Sequence, residues 1–329
     1  MSKGQGNYNS DQIESLIQRF ETSVEQGDAV FFDVDEYEDI INFYFDKNNF
    51  SKAGIAIEKG VEHFPFAVLF QLRKAQLFSA TERIEEALQI LDYAEKFDPN
   101  DAEIQMTRGG IYSQLHQPKK AIECYEKAMQ NEDMADEVSL YMAFEYENLS
   151  QFDDAIICLK KALELSPDNE AAIYELAFCF ELSEKTEDSI NYYNAFIDKY
   201  PYSQNAWFNL GIGYNKLELY EKAIIAYDYA IAIKSDFASA YFNKANSLAN
   251  MERYEEAIAV YKETFQYEDH EAATYYYIGE CYEKMENWEL ATVNYNRAIK
   301  IDANLSEAWL GIGIVLDKQN RLLEGIHYV

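Results

Sequence analysis

Glycine and proline are scarce in this chain, with 13 and 5 among 329 residues. That shortage excludes collagen-like and low-complexity sequences and disfavours a turn-rich β-sandwich. Four cysteines are too few for a disulfide scaffold. No apolar run reaches the length of a membrane span, and no basic-then-apolar leader stands at the N-terminus. The simplest expectation is a soluble cytoplasmic protein in a reducing compartment. Positive charge is also short: 28 Lys and Arg face 59 Asp and Glu, a net charge of −31. Such a field repels phosphate backbones and anionic bilayers, so neither nucleic acid nor membrane is expected as a partner. Neutral or basic proteins remain.

Catalytic patterns are missing as well. There is no glycine-rich phosphate loop, GxSxG, HExxH or CxxC. The four histidines (His63, His116, His270 and His327) are scattered, and no carboxylate sits in a constellation with His or Cys. Neither an enzyme nor a metal or cofactor site is expected.

What is present is self-similarity. Stepping by 34 through Tyr214 gives Tyr44, Phe78, Tyr112, Tyr146, Phe180, Leu248, Tyr282 and Leu316, all large. Stepping by 34 through Ala223 gives Ala53, Ala87, Ala121, Ala155, Ser189, Ala257, Ala291 and Gly325, all small. Repeats then begin at Val34, Val68, Ala102, Asp136, Glu170, Gln204, Ala238, Ala272 and Ser306. Within each repeat, large residues at positions 4, 7 and 11 mark one stripe of a first helix. Small residues at 8 and 20 let two antiparallel helices approach, and a large residue at 24 fills the hole between them. A small residue at 27 makes room for the next repeat; Phe196 and Thr264 depart from that rule. Pro65, Pro99, Pro167 and Pro201 share position 32, where the second helix must stop, and Pro118 stands in the first turn of a second helix. Cys124 with Cys158, and Cys179 with Cys281, share register positions, so packing roles are expected for these thiols.

The series Trp207, Leu210, Gly211, Tyr214, Ala223, Tyr227 and Ala230 resembles the tetratricopeptide repeat signature. The resemblance covers residues 34–329 and implies an all-α fold. That fold is a right-handed α-solenoid (superhelix) of antiparallel helix pairs, whose first helices line a concave groove that binds extended peptides. The expected organisation is a flexible leader at 1–10, a capping half-repeat at 11–33, eight full repeats, and a truncated ninth at 306–329 without a polar capping helix. The acids between Asp28 and Asp39 suit N-capping of the first helix pair better than a docking patch for a basic segment.

Positions 2, 5, 9, 12 and 13 of the first helix, with 6 at the margin, fall on the face opposite the packed stripe. On that face the asparagines Asn205, Asn209, Asn215, Asn243, Asn246 and Asn250 are candidates to pair with a ligand backbone, since an amide both donates and accepts. A generally asparagine-rich composition is the competing explanation. Phe208, Phe242 and Tyr276 at position 5 form an expected apolar wall, with Glu280 and Glu283 beside it. Elsewhere the face is acidic (Asp35, Glu38, Asp46, Glu137, Glu147, Glu175 and Glu181), which suits a neutral to basic ligand. The clamp that related proteins use for acidic chaperone tails is not matched: no position 5 is lysine, and only Arg73 gives a basic position 6. The expected function is a non-catalytic scaffold or adaptor gripping an extended segment of a partner protein. The alternatives are self-assembly through the unfinished ninth repeat, giving a homo-oligomer, or a sensor or targeting part of a longer protein with an effector domain beyond Val329.

Overall fold

A computed structural model describes residues 10–27, 30–96, 101–268 and 271–321. Met1 to Asn9 of the expected leader, Asp28, Pro99, His270, and residues 322–329 of the ninth repeat lie outside the described residues; Ser10 already belongs to the first helix. Among the described residues all regular structure is helical, and no helix is long and apolar enough to cross a membrane.

The chain divides into two compact units, Met1–Leu165 and Ser166–Val329. The first holds α1 (Ser10–Gln26), α2 (Val34–Asp46), α3 (Phe50–His63), α4 (Val68–Ala80), α5 (Ile84–Ala94), α6 (Ala102–Gln114), α7 (Pro118–Ala128), a short 3-10 turn (Glu132–Met134), α8 (Ala135–Asn148) and α9 (Phe152–Leu165). The second holds α10 (Glu170–Leu182), α11 (Thr186–Lys199), α12 (Gln204–Lys216), α13 (Tyr220–Ile233), α14 (Ala238–Asn250), α15 (Tyr254–Thr264), α16 (Ala272–Lys284), α17 (Trp288–Ile301) and α18 (Ser306–Lys318). In each unit consecutive helices pack as pairs, and each pair stacks on the next: a solenoid of repeated helix pairs.

Side-chain size decides how close the helices come. Tyr193, Tyr227, Tyr261 and Tyr295 at position 24 are almost wholly buried, as are Ile57, Leu91 and Leu159 in the first unit. Their rings lie on the first helix where position 8 is small. A Cβ on Gly211 would meet the Tyr227 ring at 2.5 Å, and one on Gly279 would meet the Tyr295 ring at 2.7 Å. At position 27, Gly60 faces Phe70 of the next pair with no room for a methyl group. Thr264, which breaks the small-residue rule at 27, is fully buried and satisfies its hydroxyl on the Tyr261 carbonyl at 2.8 Å. At Phe196 the sizes reverse: the next helix offers the fully buried Ala206 at position 3, where α4 has Phe70.

Asp33 caps α2, accepting from the Glu36 amide at 2.8 Å, while Glu36 accepts from the Asp33 amide at 3.0 Å. This reciprocal pair satisfies two otherwise orphaned amides. Arg19 of α1 also donates to Glu36, which ties α1 to the start of α2.

Each first helix ends in the same turn. Asn48, Glu82, His116, Ser150, Glu184, Glu218, Glu252, Glu286 and Asn320, spaced by 34, have φ between 53° and 61°. The residue after each closes the helix by donating to a carbonyl five back, as Leu219 does to Tyr214 (2.9 Å) and Arg253 to Leu248 (3.0 Å). The left-handed region costs a residue with a Cβ about 1–2 kcal/mol. Five of the nine positions nevertheless hold glutamate. Glu218→Gly is expected to stabilise the chain by about 0.5–1 kcal/mol, less than the full strain because glycine also frees the unfolded chain. A thermal unfolding comparison at neutral pH checks this, with a raised midpoint as the expected outcome.

Candidate functional site

In α10 the side chains of Ala172, Ile173, Leu176, Cys179 and Phe180 are buried against neighbouring helices. A helix with that stripe inward presents Ala171, Tyr174, Phe178 and Glu181 on the opposite side. Tyr174 is 71% exposed and Phe178 is 43% exposed. In α12 the buried set is Ala206, Leu210, Gly211 and Gly213, which turns Asn205, Phe208, Asn209, Ile212 and Lys216 the same way. Between the two helices runs an open cleft of about 710 Å³, closed at one side by Phe237 and Ser239 at the start of α14.

The walls of this cleft are held from behind. Phe208 rests on Tyr227 and Phe237, with ring centroids 5.8 and 4.9 Å away. The Asn209 amide donates to the Tyr193 hydroxyl at 3.5 Å, and that hydroxyl donates to the Ile173 carbonyl at 3.1 Å. Glu170 accepts from Gln204 at 3.2 Å, bridging α10 and α12. Glu175, half-buried in the wall, has its carboxyl pushed above the ordinary value of 4.5 by burial alone. Lys216 is the cation of the lining.

Of the residues picked from the sequence, Asn205, Phe208 and Asn209 line this cleft together with the acids Glu175 and Glu181 of α10. The remaining candidate asparagines and aromatics, with Glu280 and Glu283, are placed along α12, α14 and α16, mostly engaged within the chain. Asn215 accepts from the buried Ser247 at 2.9 Å, and Asn243 donates to its own helix at the Ser239 carbonyl, 2.9 Å away. Asn246 accepts from the Tyr261 hydroxyl, and Glu283 from the Tyr295 hydroxyl at 2.6 Å. Asn250 is exposed at the last turn of α14, and Glu280 is half-buried, its carboxyl raised chiefly by that burial. Phe242 and Tyr276 are taken up by an aromatic stack. Tyr277 lies 5.5 Å from Phe242 and 6.0 Å from Tyr261, and Tyr276 lies 5.8 Å from Tyr295. The Tyr227 hydroxyl is buried with no hydrogen-bond partner among the described residues.

The two places differ at one register position. At position 6 the second of the paired first helices carries Tyr277 in α16 but Asn209 in α12. Tyr277 packs against Phe242 and Tyr261 between α14 and α16, whereas the cleft beside Asn209 is open. Tyr174 and Phe178 line the cleft and obey the same position rule, and sequence reasoning did not single them out. In the first unit the corresponding face is charged. Arg73 pairs with Glu38, and the carboxyls of Glu103 and Asp39 are raised first by burial and then by neighbouring acids.

Cys124, Cys179 and Cys281 are buried and Cys158 half-buried, and none of them is joined in a disulfide. Burial pushes the Cys158 thiol up to about 11 and the Cys281 thiol up to about 12, away from the thiolate a nucleophile needs. Among the described residues no group of three or more His, Cys, Asp or Glu is placed to hold a metal ion.

An exposed side chain and a buried one differ measurably when truncated. Tyr174→Ser is expected to leave stability within about 0.5 kcal/mol of the parent. Leu176→Ala, two residues on and fully buried, is expected to cost about 2–5 kcal/mol. Chemical denaturation of the two variants checks the contrast.

Sequence models of the tetratricopeptide repeat match residues 102–132, 142–169, 183–238, 238–266 and 273–304, together more than half of the chain. No curated protein matches the chain. Among solved structures, the C-terminal part of a TPR repeat-containing protein from Cytophaga hutchinsonii is 17% identical, with a TM-score of 0.56; the match covers 73% of this chain and 99% of that one. The MamA protein is 22% identical over 52% of this chain and 93% of its own, with a TM-score of 0.45. The APC/C hetero-tetramer Cut9-Hcn1 is 16% identical over 97% of this chain and 75% of its own, with a TM-score of 0.43. The Cytophaga structure shares the fold, and the matched repeats fall on the helix pairs described above: the chain belongs to the tetratricopeptide repeat proteins.

Proposed function

We propose that the protein is a scaffold or adaptor that holds an extended segment of a partner protein along α10 and α12. Tetratricopeptide repeats are protein–protein interaction modules, typically non-catalytic. The observation that carries the finer reading is the open cleft with Tyr174, Phe178 and Ile212 exposed side by side. Neighbouring large apolar side chains left in water favour a partner that covers them, at roughly 25 cal/mol per Å² of apolar surface removed.

Asn205 and Asn209 stand on the α12 wall of this cleft. Asn209 spends one amide hydrogen on Tyr193, which leaves its carbonyl oxygen and second hydrogen for a ligand backbone. Asn243 stands on the next first helix, α14, while Phe242 and Tyr276 are engaged in the aromatic stack. Asn243 has its amide turned to Ser239, so it contributes through its carbonyl oxygen.

The relation between Asn209 and Tyr277 supplies the test. Asn209→Tyr would set a ring near Tyr174 and Tyr193, as Tyr277 sits near Phe242 and Tyr261. It is expected to fill the cleft without loss of stability and to abolish partner capture from an extract of the native host. The double variant Asn209→Ala/Asn243→Ala is expected to weaken capture by about tenfold, the loss of one or two backbone hydrogen bonds. Capture of every partner by both folded variants would contradict the proposal.

A further inference from the structure

We propose that the segment taken by the α10–α12 cleft is a basic–apolar one: an aromatic or long aliphatic side chain seated among Tyr174, Phe178, Phe208 and Ile212, flanked by an arginine or lysine that meets Glu175 or Glu181. This inference rests on the reading above and adds the chemistry of the occupant.

Three observations carry it. The floor is apolar and exposed, so the anchoring side chain must be apolar too. The rim is charged asymmetrically, with Glu170, Glu175 and Glu181 against Lys216 alone. Glu170 already accepts from Gln204, whereas the carboxylates of Glu175 and Glu181 meet no cation among the described residues. Burial holds the Glu175 carboxyl above its ordinary value with no opposing charge, a penalty that a docked guanidinium would relieve.

Geometry limits the length. Glu170 and Glu181 are eleven residues apart on α10, a rise of about 16 Å. An extended strand advances about 3.3 Å per residue, so roughly five ligand residues lie along the carboxylate row. A bidentate arginine fits better than lysine beside the aromatic floor, because guanidinium also stacks on rings. An acidic segment would face three carboxylates with one lysine to meet it.

The test uses an array of synthetic peptides in a Gly-Ser frame, each carrying one pair of adjacent amino acids, probed with the full labelled chain at low and high salt. The brightest spots are expected to join Arg or Lys to Phe, Tyr, Trp or Leu, and to fade with salt. Glu175→Gln/Glu181→Gln should reduce the basic preference by about five- to tenfold, and Glu175→Lys/Glu181→Lys should redirect it to Asp and Glu. Phe178→Ala should dim all of these spots; Tyr174→Ser replaces it as the control if circular dichroism shows that variant unfolded. Spots that respond to Phe178→Ala but show no basic preference would overturn this inference and leave the groove reading standing. Spots indifferent to Phe178→Ala, or an array with no bound spot, would overturn both.

Discussion

The contact on which this molecule depends is a ring pressed against a residue with little or no side chain. Tyr227 lies on Gly211 and Tyr295 on Gly279, with no space for a methyl group between them. Close approach of two helices maximises dispersion contacts and excludes water from both. Because the same pair of positions recurs every 34 residues, the same crossing recurs, and each pair offers the next a nearly identical surface. Ala75, Ala143 and Ala245 do the same work with a methyl group, opposite Leu91, Leu159 and Tyr261.

That constraint also fixes what is left over. Once positions 3, 7, 8 and 11 of a first helix are committed to packing, positions 2, 5 and 9 lie on the opposite face, and α10–α12 and α14–α16 use that face differently. Around Tyr277, the rings of Phe242, Tyr261, Tyr276 and Tyr295 join it in one stack. Beside Asn209, Tyr174 and Phe178 are left exposed and a cleft remains. One fold thus carries a covered stretch and an open stretch on equivalent surfaces, and the open one is where we propose that a partner docks.

Much of this was legible in the sequence. The size columns at 8, 20, 24 and 27 identified the helix pairs because packing acts on side-chain volume, which the sequence states outright. The left-handed turn was not legible. Glu82, Glu184, Glu218, Glu252 and Glu286 occupy a conformation that favours glycine, so composition there points the wrong way. The cleft was legible in its face but not in its extent. Asparagine in α12 and α14 stands out in the sequence more than Tyr174 and Phe178 do, yet in the folded chain Asn215 and Asn246 are engaged with Ser247 and Tyr261. Whether a polar side chain is spent internally depends on neighbours twenty or thirty residues away, which periodicity alone does not reveal.

The most direct measurement is a double-mutant cycle on the central contact: Gly211→Val, Tyr227→Leu and the two combined, read as local opening free energies of α12 and α13 amides by native-state hydrogen exchange. Gly211→Val alone should cost about 1–3 kcal/mol through overpacking. The combined change should cost less than the sum by about 1 kcal/mol or more, because the smaller side chain admits the added methyl groups. Costs that simply add, to within about 0.3–0.5 kcal/mol, would show that ring and glycine do not set the approach of the helices, and would contradict the account.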